Sequence, residues 1–358
     1  MQKYRGQWCS HAALRRATIS CMRIPTRWLS IGAALCVLPL AAETHDVVAS
    51  KYYHTFSPQH PVLQRLLSGD TVRTKTLDSG GQDAKGNHLS NTGNPLTGPF
   101  YVEGAEPGDA LVVHFNRIRM NRNWGYSAFR LGLVSLLPES IEGIYSSQFK
   151  RDLVRKGTAS LVRWDIDLDK KTVSLRDPES KRIKLEFPAH PMLGCVGVAA
   201  AGEFIPTSGP AGPYGGNLDF NMVAEGASII LPVYHKGGLL FVGDGHALMG
   251  DGEATGSGVE TSMDVEFTVA LRKQVKLAGP RLENAEYLVS IGAQPEFSSS
   301  LDRGLQMATT DMVNWLVNEY RLEPWAAHML IGFQGEYRVI TVAGSMALLI
   351  PRKALANK

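Results

Sequence analysis

The sequence predicts an α+β protein that is mainly β, with β-sandwich or barrel-like lobes and helices near the C-terminus. Two patterns predict this class. Short runs in which apolar and polar residues alternate recur from about residue 70 to residue 291, separated by turn residues. Apolar residues at helical spacing appear only after Ser299. Strands followed by late helices indicate an α+β architecture, whereas a Rossmann fold would alternate the two.

Strands are predicted at ten places in the chain, namely 70–77, 111–115, 161–167, 171–175, 182–187, 228–233, 239–242, 264–271, 287–291 and 338–342. The segment 78–99 is dense in glycine, asparagine and serine, and a connection of this length is usually functional. A helix is predicted over 299–320, behind serines able to cap it. A second, short helix is predicted from Pro324 through Met329.

The composition is that of an ordinary globular protein. The chain has 358 residues, 44% hydrophobic and 20% charged, which suffices for a large core and two closely packed lobes. The formal charge of +3 is small, and part of it comes from Arg15, Arg23 and Arg27. No nucleic-acid partner is expected, because such proteins normally carry a concentrated basic face.

Residues 1–43 are predicted to be a signal peptide. Arg23 and Arg27 precede the apolar run 31–42, which ends in small residues and is shorter than the roughly 20 residues of a membrane span. Met22 is a more typical start, so residues 1–21 are interpreted as a wrongly included N-terminal extension. We expect a periplasmic or secreted protein with no stable membrane span after cleavage. The alternative is an uncleaved anchor.

The mature region, residues 44–358, is expected to hold a single cysteine, Cys195. An internal disulfide and a cysteine-based zinc site are therefore excluded there. Cys195 lies in the apolar run 192–198, which favours a small buried hydrophobe over a nucleophile.

The segment 243–260, GDGHALMGDGEATGSGVE, is the strongest candidate for chemistry. It holds six glycines and five residues able to bind a metal or a proton, namely Asp244, His246, Asp251, Glu253 and Glu260. In extended backbone, residues two apart point to the same side, as Asp244 and His246 would. Carboxylate with imidazole suits zinc, manganese or iron, and carboxylate with carbonyl oxygen suits calcium. The alternative is a solvated acidic turn.

Two further segments supply candidates. Asp219 lies in 214–221, YGGNLDFN, as a metal ligand or general base, the alternative being an ordinary Asn/Asp turn. Asp78 follows a predicted strand, where a side chain can be held rigidly over a site. The sequence has neither a GxSxG elbow nor a P-loop, so a Ser-His-Asp triad has no support.

At these residues the chain resembles the acetamidase/formamidase family. The resemblance spans about residues 54–345 and rests on five segments, namely 68–78, 104–109 (GAEPGD), 190–198 (HPMLGCVGV), 215–219 (GGNLD) and 242–261 (VGDGHALMGDGEATGSGVET). It implies a β-rich α+β fold, hydrolysis of the carbon–nitrogen bond of small linear amides to ammonia and a carboxylate, and a homodimer.

The resemblance also implies a divalent metal ion, zinc or calcium. Five residues are the candidates both for holding it and for catalysis, namely Asp78, Asp219, Asp244, His246 and Glu260. The hypothesis is that an ion on Asp219, His246 and Glu260 polarises the amide and activates water. Asp78 or Asp244 would then be a further ligand or the general base. Glycine-loop N–H groups would stabilise the oxyanion, and His246, if not a ligand, would protonate the leaving ammonia.

Two features depart from the family's pattern. Its amide-assimilating members are cytoplasmic, whereas this chain carries an export signal. The segment 116–130, NRIRMNRNWGYSAFR, is basic and aromatic, and either lines a pocket for a larger or anionic substrate or is a solvated surface. The alternative functions are an exported metal-binding β-protein and a hydrolase of a different bond on the same scaffold.

Overall fold

The computed structural model describes residues 42–129, 131, 135–137, 161–177, 179–203, 205–294 and 300–355. The predicted signal peptide therefore lies outside the described residues, apart from its last two. Within the described part of the chain, no helix is long and apolar enough to cross a membrane.

The described residues form nineteen strands. In chain order they are β1 Thr44–Asp46, β2 Gln64–Leu66, β3 Thr71–Thr76, β4 Leu96–Val102, β5 Ala110–Met120, β6 Trp124–Ala128, β7 Leu161–Asp167, β8 Thr172–Asp177, β9 Glu186–Pro188, β10 Met192–Val198, β11 Ala211–Gly212, β12 Gly215–Asn217, β13 Ser228–Pro232, β14 Leu240–His246, β15 Met263–Arg272, β16 Arg281–Glu283, β17 Tyr287–Gly292, β18 Glu336–Thr341 and β19 Ser345–Pro351. The helices among these residues are α1 Leu301–Asn318, α2 Pro324–Gln334 and a 3-10 turn at Arg352–Leu355.

Three sheets organise these strands. The largest runs β1-β3-β15-β5-β13-β16-β17-β19-β18, the second β11-β12-β10-β14-β4-β2 and the third β6-β7-β8-β9. The first two share one core, in which Phe100 of β4 meets Phe267 of β15 with ring centroids 5.3 Å apart. The mainly β fold class is thus confirmed, as stacked open sheets. Among the described residues no sheet closes into a barrel.

The two helices cover the far end of the largest sheet. Ser300 caps α1, accepting a hydrogen bond from the N–H of Arg303 at 3.1 Å. Trp315 and its apolar neighbours on α1 pack over β17 and β19. The approach is close, because a Cβ on Gly292 of β17 would lie 1.9 Å from the carbonyl oxygen of Gly304. Glycine at this crossing lets the helix lie on the sheet.

Some predicted boundaries were wrong. The segment 182–187 was predicted as a strand, but the strand there is only Glu186–Pro188. Strand β14 runs on through His246, so the first four residues of the predicted glycine-rich loop belong to a strand. Several strands were missed, among them β4, β6 and β19. β19 is buried throughout, so it has no alternation to reveal it.

Asp109, at the end of the GAEPGD turn, holds that turn to the sheet. Its carboxylate accepts hydrogen bonds from Lys273 Nζ at 2.5 Å and from the N–H groups of Gln274 and Glu106, each at 2.9 Å. Burial raises the pKa of Asp109, but these hydrogen bonds outweigh it and hold the pKa below its ordinary value. The stabilisation is present above the unfolded-state pKa of about 3.9 and is lost as pH falls through the folded-state pKa.

Asp109→Asn should therefore lower the free energy of unfolding by about 1–3 kcal/mol at pH 7. The difference from wild type should shrink as pH falls below about 4, where the unfolded chain takes up the proton, and should vanish below the lower folded-state pKa of Asp109. Urea unfolding at several pH values measures this. The control Asp264→Asn breaks an exposed pair with Lys75 and should cost under about 1 kcal/mol. An equal loss in both variants would contradict the assignment.

Candidate active site

Asp244 and His246 project from the end of β14 in the second sheet. β14 pairs with β10, where Met192 stands opposite His246, and with β4 on its other side. Residues two apart on a strand face the same side, so the two side chains point together. Both are buried, with 2% and 1% of their surface exposed.

Glu260 reaches the same place from the segment after the glycine-rich loop. Its backbone lies between β14 and β6, bridging His246 on one side and Tyr126 on the other. The N–H of Glu260 donates to the carbonyl of Tyr126 at 2.7 Å. Glu260 Oε1 lies 3.1 Å from His246 Nε2, and Asp244 Oδ1 lies 3.6 Å from the same nitrogen.

Asp219 and Glu253 complete the cluster from two loops. Ligand-capable atoms of Asp219, His246 and Glu253 lie within 4.8 Å of one another, as do those of Asp244, His246 and Glu260. Asp219, Asp244 and Glu253 have φ values of +46°, +58° and +44°. Non-glycine residues in this left-handed region are uncommon, and such strain concentrates at functional sites.

Several polar atoms of the cluster are buried without a hydrogen-bond partner in the described residues, namely Asp219 Oδ1, Asp244 Oδ1, His246 Nδ1 and Glu260 Oε2. Burying such atoms unpaired is costly. Carboxylate oxygens and imidazole nitrogens are also the atoms that bind divalent metals. The donor set and its unpaired atoms therefore fit a bound cation.

The electrostatics point the same way. Burial lowers the pKa of His246, but the carboxylates of Glu260 and Asp244 outweigh it and raise the pKa well above its ordinary value. Burial and then the charges of Glu253 and Asp244 raise the pKa of Asp219. Burial, together with neighbouring carboxylates, raises the pKa of Glu253 to about 7. Crowded acids hold protons in this way when no cation offsets their charge.

Asp78 takes a different position from the other four predicted residues. Its Oδ2 accepts a hydrogen bond from Arg122 Nη2 at 2.6 Å, both side chains being almost wholly buried, and its Oδ1 accepts from the N–H of Gln82 at 2.8 Å. Neither metal-capable group contains it. The geometry gives Asp78 a structural partner in Arg122 instead of a place among the ligands.

Arg122 connects three parts of the site. Beyond Asp78, its Nε donates to Thr261 Oγ1 at 3.0 Å and to the Trp124 carbonyl at 3.1 Å. Its guanidinium also lies 3.7 Å from the centroid of the Trp124 ring. The buried guanidinium of Arg122 thus contacts all three parts, namely the 78–83 loop, β6 and the Glu260 segment.

A cavity of about 840 Å³ opens over the cluster. Asp244, Glu253 and Glu260 lie in its lining, and Trp124 and Tyr126 form part of its wall. The basic and aromatic segment 116–130 therefore contributes to a pocket, although Arg119 pairs with Glu225 at the surface. Arg130 lies outside the described residues.

Sequence reasoning missed three of the residues that shape the site. Glu253 was noted in the glycine-rich loop but not assigned, and its positive φ has no signature in the residue type. Arg122 and Tyr126 were seen only as members of a basic, aromatic run. Cys195 is buried as predicted, with Sγ 3.9 Å from Asp244 Oδ2, and burial raises the pKa of its thiol well above the ordinary value.

Comparison with known proteins agrees with the resemblance seen in the sequence. The model of the acetamidase/formamidase family matches residues 43–208 and 198–306, well over half of the chain. The chain belongs to the acetamidase/formamidase family.

Curated relatives of this family member match part of its length. A formamidase of Methylophilus methylotrophus is 25% identical over 262 residues, 62% of this chain and 64% of the relative. An acetamidase of Mycolicibacterium smegmatis is 26% identical over 200 residues, 44% of this chain and 48% of the relative. The chain therefore spans less than two thirds of these relatives.

Solved structures of similar proteins match much more of the chain. An acetamidase from Yersinia enterocolitica aligns with a TM-score of 0.71 at 25% identity, covering 88% of this chain and 93% of its own. An acetamidase from Bacillus halodurans aligns with a TM-score of 0.69 at 26% identity, covering 86% and 98%. The fold predicted for this family member is thereby supported over most of its length.

The cluster depends on glycine at position 194 of β10. A Cβ there would lie 2.5 Å from Asp219 Oδ1 and 2.6 Å from Asp244 Oδ2, well inside van der Waals contact. Gly194→Ala should therefore lower the free energy of unfolding by about 1–3 kcal/mol. The matched control is Gly250→Ala, whose added Cβ meets nothing within 4 Å. Thermal unfolding compares them, and equal melting temperatures would refute the packing argument.

Proposed function

We propose that this protein hydrolyses the carbon–nitrogen bond of amides, releasing ammonia and a carboxylate. The observation that carries the proposal is the convergence of five residues into one cluster, in a chain of the acetamidase/formamidase family; they are Asp219, Asp244, His246, Glu253 and Glu260. Asp244, Glu253 and Glu260 of this cluster line a cavity. Perturbed titratable groups beside a pocket are typical of active sites.

A divalent cation is part of this proposal. Asp244, His246 and Glu260, whose ligand-capable atoms lie within 4.8 Å of one another, would hold it, and Asp219 belongs with the same histidine to the neighbouring group. When bound, the ion would polarise the amide carbonyl and make water more acidic. Zinc suits the site better than calcium, because calcium sites are built from oxygen ligands and this one contains an imidazole.

Glu253 is the proposed general acid–base residue. It lines the cavity, is only partly buried and lies within reach of His246. Its carboxylate would accept the proton of the attacking water and pass it to the departing ammonia. Without a cation, burial and the neighbouring carboxylates raise the pKa of Glu253 to about 7; a bound cation would lower this pKa and favour the carboxylate that accepts the proton.

Substitutions in the cluster should separate catalysis from folding. Asp219→Asn and His246→Ala should abolish ammonia release from acetamide and formamide. Glu253→Gln should reduce kcat/KM by about 10²- to 10⁴-fold, the usual contribution of general acid–base catalysis. The control Asp251→Asn lies in the same loop, but its carboxylate pairs with Arg338 outside the cluster. It should retain kcat/KM within a few-fold of wild type.

The assay uses protein beginning at Thr44, with and without a chelator. Release that stops with chelator and returns with zinc supports the cation as part of catalysis. Release that ignores chelator contradicts a catalytic ion. Folded protein that releases no ammonia from any amide contradicts the amidase proposal and leaves a metal-binding protein or a hydrolase of another bond.

We also propose that the protein is exported to the periplasm or secreted. The pattern of residues 1–43 supports this.

We propose further that the protein forms a homodimer through helix α2. This helix contains no Asp, Glu, Lys or Arg and exposes 70% of Trp325, 51% of Met329 and 78% of Phe333. These three lie four residues apart, on one face of the helix. An exposed apolar patch of this kind marks an interface.

The double substitution Trp325→Asp and Phe333→Asp should convert the dimer into a monomer. It places two negative charges from each copy in the apolar interface, where burying them is costly. Light scattering coupled to size exclusion gives the mass directly. Leu168→Asp places the same charge on an exposed apolar residue elsewhere and should leave the mass unchanged. A monomeric wild type would refute the dimer, and a dimeric double variant would refute this interface.

A further inference from the structure

The cavity is far larger than the smallest amides. Acetamide has four non-hydrogen atoms, and at about 30 Å³ for each, the volume of a water in the liquid, it fills roughly 120 Å³. The cavity holds about 840 Å³. Acetamide would occupy a small part of this cavity, which is open to solvent, so the cavity has room for a longer substrate.

One face of the third sheet forms the outer wall of this cavity. Trp124, Tyr126 and Ala128 alternate along β6, and Tyr126 and Ala128 stand opposite Arg163 and Leu161 of β7. Residues paired across two strands lie on the same face. All five line the cavity. The wall is thus mostly apolar or aromatic, with one guanidinium in it.

Arg163 is the cation of this wall. Its side chain is exposed, and among side chains that the structure describes no carboxylate forms an ion pair with it. The neighbouring Arg176, by contrast, pairs with Asp165. Asp177 of β8 stands opposite Arg163 in register, and its side chain is outside the description. An arginine in a cavity wall is well suited to bind a carboxylate with two hydrogen bonds.

The distance between Arg163 and the cluster follows from the strand order. Glu260, Tyr126 and Arg163 lie on three adjacent backbones, since Tyr126 pairs with both of the others. At about 4.8 Å per step, the backbones of Glu260 and Arg163 are about 10 Å apart. The Arg163 side chain covers part of this distance when it extends toward the cluster. About two to four methylene groups then span the remaining distance between its guanidinium and the cluster.

We infer that the substrate is an amide that carries a carboxylate at its other end, the monoamide of a short dicarboxylic acid. Its amide lies over the His246 cluster, its methylene groups lie against Trp124 and Tyr126, and its carboxylate binds Arg163. This inference rests on the proposed amide hydrolysis and names its substrate class.

The test compares succinamate with succinamide, which have the same number of non-hydrogen atoms and differ in charge. For wild type, kcat/KM per amide group should be at least tenfold higher for succinamate. Arg163→Gln should lower that ratio at least tenfold. The control Arg176→Gln removes the same charge from the adjacent strand outside this cavity and should keep the ratio.

The outcomes separate this inference from the proposal beneath it. Hydrolysis of acetamide without preference for succinamate overturns the anionic substrate and leaves the amidase. An unchanged ratio in Arg163→Gln also overturns it. Absence of hydrolysis with every amide, by folded wild-type protein, overturns both.

Discussion

The crowding of four carboxylates, three of them buried, around one imidazole is the constraint on which the site depends. Asp219, Asp244, Glu253 and Glu260 come within a few ångströms of His246, where like charges repel and desolvation is costly. An arrangement of this kind persists only if the surrounding structure holds it. The paired strands β4, β10 and β14, with the segment bridged to β6, provide that support.

Glycine makes the crowding possible. At Gly194 and Gly258 the backbone passes so near the cluster that a Cβ would lie 2.5 Å from Asp219 Oδ1 and from His246 Cγ. Glycine is entropically costly to order, and that cost is offset here by close backbone approach. The site is therefore built partly from residues that have no side chain.

A second layer of polar contacts keeps the Glu260 segment in place. Arg122, buried against Trp124, joins Asp78 to Thr261 next to Glu260. A buried ion pair of this kind is costly to break, because the remaining charge would be left without a partner. Asp78 thus contributes to the position of Glu260 and to the shape of the cavity wall that carries Trp124.

The sequence by itself determined the fold class, because the two-residue and four-residue periods of strands and helices can be seen in the order of residues. It also predicted Asp219, Asp244, His246 and Glu260 as candidates, because acids, histidine and glycines concentrated in short segments are an uncommon pattern, and the structure brings these four residues together. The tertiary structure alone decided that Asp78 pairs with Arg122 and that Glu253 joins the cluster. Those outcomes depend on strand pairing between segments far apart in the chain, and on left-handed backbone at Glu253, neither of which local sequence encodes.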